Sequence, residues 1–341
     1  MEKVIAIHHR LGSFSDRWIQ YCKEKNIKFK LVNCYENNII SQIQNCSGLM
    51  WHWDQNDYRS NLFAKQLMVS IKKMGIKVYP NIYTSWHFDD KIGQKYLLEA
   101  INAPLVNTYI FYDKKEAQKW IKSVEFPKVF KLSGGAGSVN VQLVNNKQRA
   151  LRLVNQAFGN GFSSINKKNR LFDRIRKFNQ QKNFSNFKKI VGGFGRLFIP
   201  TEIEKFSPND KGYIYFQDYI PNNEYDTRMI VIGSRCFAVR RYCRKNDFRA
   251  SGSGIAAYDK DLFDIRMVKV SFEVSKKINS QSMAFDFVIH EGKPKIIEIS
   301  YCFIIGEFYD QCHGYWDEDL IWHSEEVNPQ RFIIEDFIKN I

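Results

Sequence analysis

Asp286 and Glu298 are the residues whose types and spacing say most about chemistry. They sit on two apolar runs, 284–290 and 294–300, separated by the turn Glu291-Gly292. In such a hairpin both carboxylates can point to one face near its open end. Two convergent carboxylates suit a magnesium–nucleotide complex, because Mg²⁺ takes hard oxygen ligands from protein and phosphate together. Two unrelated strand acids are the plainer alternative. Apolar flanks count against it: Phe285 and Phe287 around one, Ile297 and Ile299 around the other, where an unpaired carboxylate is costly.

Lys131 ends another apolar run, just before Ser133-Gly134-Gly135-Ala136-Gly137-Ser138. A glycine loop brings backbone N–H groups close to phosphate, and the lysine adds a point charge. Gly137 is followed by Ser138 rather than by Lys, so this is not a Walker A loop. A strand follows the loop instead of a helix, which excludes the dinucleotide fingerprint. Gln217-Asp218-Tyr219-Ile220-Pro221 closes a strand and leads into a loop, a shape that offers backbone groups to an adenine edge. Arg240 and Arg241 precede Asn246-Asp247-Phe248-Arg249 and a Gly/Ser-rich stretch. Guanidinium forks at that place match the oxygens of a transferring phosphoryl group or an acyl phosphate. Surface arginines beside a flexible loop are the plainer alternative.

These residues need a frame to hold them. Residues 4–7, 29–32, 48–51 and 77–79 read as short strands alternating with helices at 16–25, 39–44 and 58–74, the last stopped by Gly75. That alternation predicts a small parallel sheet in an N-terminal α/β domain, residues 1–85. Asp89 or Asp90 caps a helix running to about residue 101. Strands at 106–112, 128–132 and 139–144 and helices at 114–122 and 147–158 build a central lobe, 86–161. Residues 162–212 form an insertion rich in Lys, Arg, Asn and Phe, either a solvated excursion or a basic surface facing an anionic acceptor. A C-terminal lobe, 213–341, has antiparallel strands at 213–216, 227–232, 235–241, 284–290 and 294–300, with a helix over 261–278. The expected class is therefore α/β and α+β together.

The 341 residues are 44% hydrophobic, which is enough for a sizeable core divided among subdomains. No apolar run reaches the roughly 18 residues of a membrane span. The first residues do not make a secretory signal, so a cytoplasmic location is expected. Seven cysteines without CxxC pairs argue against a disulfide framework or zinc ribbon. The net charge of +15 favours anionic partners.

The order of Lys91, Lys131 with its loop, Gln217–Pro221, Asp226-Thr227-Arg228, Arg240/Arg241, Asp247-Phe248-Arg249, Asp286 and Glu298 resembles the ATP-grasp superfamily over roughly residues 86–306. Within it the chain is similar to ribosomal-protein glutamate ligases. The resemblance implies an ATP-grasp fold with the nucleotide between the central and C-terminal lobes. It implies that Lys91, Lys131, Gly134, Gly135, Gly137 and Ser138 hold ATP phosphates. Gln217, Asp218, Tyr219 and Ile220 would form the adenine hinge, and Asp226 would lie near ribose or substrate. Arg240 or Arg241, with Arg249, would stabilise an acyl phosphate, and Asp286 and Glu298 would bind Mg²⁺. Where the superfamily usually has Asn as a third metal ligand, this chain has Ser300, a shorter and weaker one.

The implied activity is a carbon–nitrogen ligation: a carboxylate is phosphorylated by ATP, then attacked by an amine. Residues 246–254 and the aromatic tail, 309–317, resemble ATP-grasp proteins of bacterial surface-polysaccharide gene clusters. That likeness implies joining an amino acid to a carboxylated or amino sugar, with one substrate anionic and a peripheral contact with a membrane-linked acceptor. His313, Trp316, Trp322 and His323 would line an acceptor pocket or simply pack. The same choice applies to His8, His9, His52 and Trp51 to Trp53, at strand ends. Two rivals remain: a non-catalytic nucleotide sensor, motivated by Ser300, and a basic nucleic-acid binder. The second has no RNA-recognition or zinc-finger signature, and nucleic acid is not an expected partner.

Overall fold

The computed structural model describes residues 3–55, 57–135, 140–163, 209–244, 247–250, 253–303 and 307–341. Most of the basic insertion, together with Ala136, Gly137, Ser138, Val139, Asn246, Ser251 and Gly252, lies outside them.

Strands β1 (Ile5–His8), β2 (Phe29–Val32), β3 (Gly48–Trp51) and β4 (Lys77–Tyr79) form the expected parallel sheet, in the order β2-β1-β3-β4. Its connections are α1 (Ser15–Glu24), α2 (Ile39–Ile43) and α3 (Tyr58–Lys73). Asp57 caps α3 by accepting the Arg59 N–H, and Gly75 follows its end at φ +82°. The sheet is apolar on both faces: Ile5, Ile7 and Met50 pack on one side, Ala6, Leu49 and Trp51 on the other. A short helix α4 (Ile82–Ser85) leads into α5 (Lys91–Ala100), capped by Asp90.

The second sheet is antiparallel, in the order β5-β8-β6-β7: β5 (Thr108–Phe111), β6 (Lys128–Lys131), β7 (Val141–Val144) and β8 (Ile214–Asp218). Helices α6 (Lys114–Ser123) and α7 (Lys147–Ala157) cover one face, burying Ala117, Ile121, Leu153 and Val154 against Phe130 and Phe216. A buried Phe of this kind contributes about 1.5–3 kcal/mol.

The third sheet has seven strands. Its path is β13 (Lys293–Ser300), β12 (Ser282–His290), β9 (Tyr225–Ile232), β10 (Arg235–Tyr242), β14 (Tyr315–Trp316) and β15 (Trp322–His323), with β11 (Ala256–Ala257) paired to β10. Helix α8 (Ile265–Ile278) covers one face through Val268 and Val274 against Met229, Val231, Phe285 and Phe287. The helix expected over 261–278 is interrupted. Lys260–Leu262 is a 3₁₀ turn, and Asp264 caps α8 by accepting the Arg266 N–H. On the other face Ile230, Ile232, Val239 and Ala284 meet α10 (Pro329–Lys339), which packs on α1 and so ties this sheet to the first. Arg17 donates to Asp310, in the short helix α9 (Glu307–Asp310), at 2.5 and 2.8 Å. Pro104 and Val106 bond to Ile296 and join the second sheet to the third. All seven cysteines are free, and five are buried.

Candidate active site

A cleft of about 690 Å³ lies between the second and third sheets and is closed at one end by the first. Strand alternation decides what faces it. On β6, Phe130 enters the α6/α7 core, so Val129 and Lys131 turn to the cleft. Lys131 Nζ donates to Gln217 Oε1 at 2.7 Å and to the Ile297 carbonyl at 3.4 Å. Burial, reinforced by nearby Lys91, lowers its pKa to about 8, although Glu298 pulls the other way. Lys91 begins α5. Its Nζ donates to the Gly135 carbonyl at 3.0 Å and lies 3.1 Å from Glu298 Oε1. Burial opposes charge there too, but Glu298 and Asp89 outweigh it and raise the lysine's pKa.

The described part of the glycine loop is clamped from the side of residues 89–91. Gly135 N–H donates to Asp89 Oδ1 at 2.7 Å, Ser133 Oγ donates to Asp90 at 2.9 Å, and Lys91 N–H donates to the Ser133 carbonyl at 2.9 Å. Gly135 needs to be glycine: its φ is +106°, and a Cβ would stand 2.9 Å from Asn140 Nδ2. A Cβ on Gly134 would lie 3.3 Å from Asp89 Oδ2. Burial pushes the Asp89 carboxyl above its ordinary range.

Gln217, Asp218, Tyr219 and Ile220 line the cleft together at the end of β8. Asp218 pairs with Lys128 at 2.6 Å, and the Gln217 amide is spent on Lys131 and Thr108. What this segment offers a ligand is therefore its backbone and the faces of Tyr219 and Ile220.

The floor is set by strand register. Asp286 stands opposite both Glu298 and Arg228, and Asp226 stands opposite Arg241. A bulge at Asp286/Phe287 leaves Ile297 as an extra residue on β13, which aims its carbonyl at Lys131. Arg228 grips both oxygens of Asp286 at 2.6 and 2.8 Å. Arg241 grips both oxygens of Asp226 at 2.6 and 2.7 Å and reaches Asp286 at 2.9 Å. Burial alone would raise the Asp286 pKa, but Arg228 and Arg241 outweigh it and hold the carboxyl well below the carboxylate range.

Of the expected residues, Arg240 faces away from the cleft, and Ser300 lines it with its hydroxyl engaged elsewhere. Arg240 points to the opposite face of β10, where it lies 3.9 Å over the Tyr225 ring and donates to the Leu262 carbonyl. Neighbouring strand residues face opposite ways, so Arg240 and Arg241 cannot share the cleft. Ser300 lines the cleft, but its Oγ donates to the Cys302 carbonyl at 2.8 Å and accepts the Cys302 N–H at 3.2 Å. The short hydroxyl closes its own turn instead of joining the acid pair. Arg249 lines the cleft and pairs with Asp247 at 2.7 Å.

Of the aromatic and histidine candidates, only His52 reaches the cleft. Trp316 and Trp322 meet edge to face at the sheet edge, 4.6 Å between ring centroids. His8 accepts the Cys34 N–H, and Trp51 and Trp53 are core. The sequence reading offered Asp89 only as a helix cap and gave no individual role to Arg228 or Cys302. For Arg228 a signal existed, since it lies two residues after Asp226 on one strand and so on the same face.

Among the described residues no three His, Cys, Asp or Glu side chains gather as a metal cage. Two carboxylates in direct register nevertheless fit a Mg²⁺ held largely by phosphate and water, the usual arrangement for that ion at nucleotides.

No family model and no curated sequence matches the chain. Solved structures do. The D-alanine–D-alanine ligase of Bacillus anthracis superposes with a TM-score of 0.56 at 13% identity, covering 90% of this chain and 89% of that one. The ATP-grasp ligase PsnB with a minimal precursor gives 0.57 at 10% identity, covering all of both chains. D-cycloserine synthetase DcsG gives 0.56 at 9% identity over 99% of each. The B. anthracis enzyme is also solved with ATP, and PsnB with Mg and ADP. The chain has the ATP-grasp fold.

Proposed function

We propose that this protein is an ATP-dependent carboxylate–amine ligase that works through an acyl phosphate. The observation that carries the reading is the convergence of Lys91 and Lys131 with Asp286 and Glu298 in one cleft, with Lys91 3.1 Å from Glu298. The ATP-grasp ligases that share the fold support it. They do not favour a nucleotide sensor or a nucleic-acid binder.

In this reading the backbone of 217–220 receives adenine, with Tyr219 and Ile220 against its faces, and Asp226 lies near the ribose or substrate. Lys91, Lys131 and the loop of Gly134, Gly135, Gly137 and Ser138 hold the phosphates. Glu298 and Asp286 would hold Mg²⁺, which supplies charge neutralisation at the phosphates. A carboxylate oxygen attacks the γ-phosphorus, the bond to the β,γ-bridging oxygen breaks, and ADP leaves. The amine then attacks the acyl carbon. A C–N bond forms, the C–O bond to phosphate breaks, and the amine gives up a proton. Arg241, Arg228 and Arg249 stabilise charge on the acyl phosphate as fixed donors.

The finer proposal is that an amino acid is joined to a sugar in surface-polysaccharide modification, on an acceptor held at a membrane. Among the described residues no helix is long and apolar enough to cross one. The test incubates the protein with ATP, Mg²⁺ and pools of amino acids, uronic acids and amino sugars. Phosphate release that depends on an acid and an amine is expected; release independent of any pool overturns the reading.

A further inference from the structure

We propose that the end of the cleft nearest the first sheet receives a monocarboxylic acid with an uncharged, apolar tail, its carboxylate turned toward Arg228 and Arg241. The proposal rests on the ligase reading and names the substrate class of that site.

The cleft has a direction. Along β12 its facing positions step from Val288 through Asp286 to Ala284, and Ser300 lies opposite Ala284. Val288 is at the Ile220 end, so Ala284 and Ser300 lie on the far side of the acid pair. Beyond them stand Cys302, Phe303 and His52, with Phe308 completing the apolar part of the wall and Asp54 and Gln55 at its edge.

This wall is mostly uncharged, and among the described residues its one acid, Asp54, is paired with Arg10. His52 is stacked on Phe14, ring centroids 3.7 Å apart and 3° from parallel. Its Nδ1 accepts the Phe14 N–H at 3.3 Å, so the proton sits on Nε2, which faces Cys302 Sγ at 3.2 Å. Burial, with Arg10 nearby, holds the ring neutral, its pKa about 3. Among the described residues, the charged groups at this end already have partners. Asp54 is held by Arg10 at 2.6 Å, and Arg228 by Asp286. A substrate carboxylate can share the guanidinium edges as the phosphoryl group arrives. A second charge on the tail would meet Phe303, Phe308 and a thiol, and a charge buried without a partner is far costlier than apolar contact is favourable. The polar sugar of the proposed reaction therefore enters as the amine partner, and the acid with the apolar tail supplies the carboxylate.

The full chain is tested with ATP, Mg²⁺ and hydroxylamine, which attacks the acyl carbon, displaces phosphate and leaves a hydroxamate. Leucine, phenylalanine and 4-methylpentanoate are compared with glutamate and glucuronate below saturation. Hydroxamate is expected to form roughly tenfold faster or more with the apolar acids. Faster reaction with the charged tails overturns this inference and leaves the ligase reading standing. No ADP or hydroxamate from any acid defeats the ligase reading itself, and the inference with it.

Discussion

Replacing Lys131 by Met should make the free protein more stable and its nucleotide binding weaker. Lys131 is almost fully buried, and its pKa falls from an ordinary 10.5 to about 8. Each pKa unit is worth about 1.4 kcal/mol, so keeping the ammonium charged in the fold costs roughly 3 kcal/mol. Met fills a similar volume without that cost. It also removes donors to Gln217 and Ile297, and an orphaned acceptor returns about 1–2 kcal/mol. The net expectation is a gain of about 1–2 kcal/mol at pH 7. The sign with pH follows from linkage. The folded pKa lies below the unfolded one, so the penalty is full below pH 8 and disappears as pH rises toward 10.5. The advantage of the variant should therefore shrink between those limits. Urea denaturation of both proteins at pH 7 and at higher pH reads the stability, and calorimetric titration with ATP and Mg²⁺ reads the affinity. The loss of a charge-assisted bond to phosphate predicts a fall of roughly 10- to 100-fold in that affinity. A Lys131→Met protein that is less stable than wild type, yet binds nucleotide equally well, refutes both halves of the reasoning.

Arg240 and Arg241 should separate cleanly in steady-state kinetics. Arg241→Lys, which loses the fork on Asp226 and Asp286, should lower kcat/KM by roughly 100-fold, while Arg240→Ala stays within about threefold and affects chiefly the melting temperature. Gly135→Ala should cost about 1–2 kcal/mol of stability and raise KM for ATP, because its φ of +106° and the Asn140 amide both resist a Cβ; denaturation and kinetics check this. Glu298→Gln should erase most of the Mg²⁺ dependence of nucleotide affinity, worth roughly tenfold or more in wild type, as titrations with and without the metal will read.

Much of the frame was legible because periodicity reports which way side chains face. The parallel sheet at residues 5–79 and the hairpin carrying Asp286 and Glu298 follow from apolar runs, caps and turn residues. What could not be read was pairing between distant segments. β9 lies beside β12, so Arg228 meets Asp286 across a gap of 58 residues, and no local pattern encodes that. The same holds for the bulge that turns Ile297 toward Lys131. Adjacent arginines 240 and 241 show the limit well: alternation says that one faces the cleft, and only the register says which. Ser300 was placed with the acids by a family pattern, but its reach was set by the turn at Cys302. Helix α10 was missed although Asn328 and Pro329 are a regular N-terminal signal.

The charge of +15 does not reside in this cleft. Among the described residues, five basic side chains line it, Lys91, Lys131, Arg228, Arg241 and Arg249, against six acids, Asp54, Asp89, Asp218, Asp226, Asp286 and Glu298. Each of those cations has a resting partner: Glu298 for Lys91, Gln217 for Lys131, and Asp286, Asp226 and Asp247 for the arginines. On the proposed reading, a triphosphate arriving there cannot simply add to a positive surface. It would exchange partners, taking Lys91 from Glu298 and leaving that carboxylate for a metal. Such exchange would make affinity depend on metal and phosphate together, because either alone leaves one member of each pair unmatched in a partly buried site. In that account the ion pairs of the cleft close on one another until the complete nucleotide complex supplies better ones.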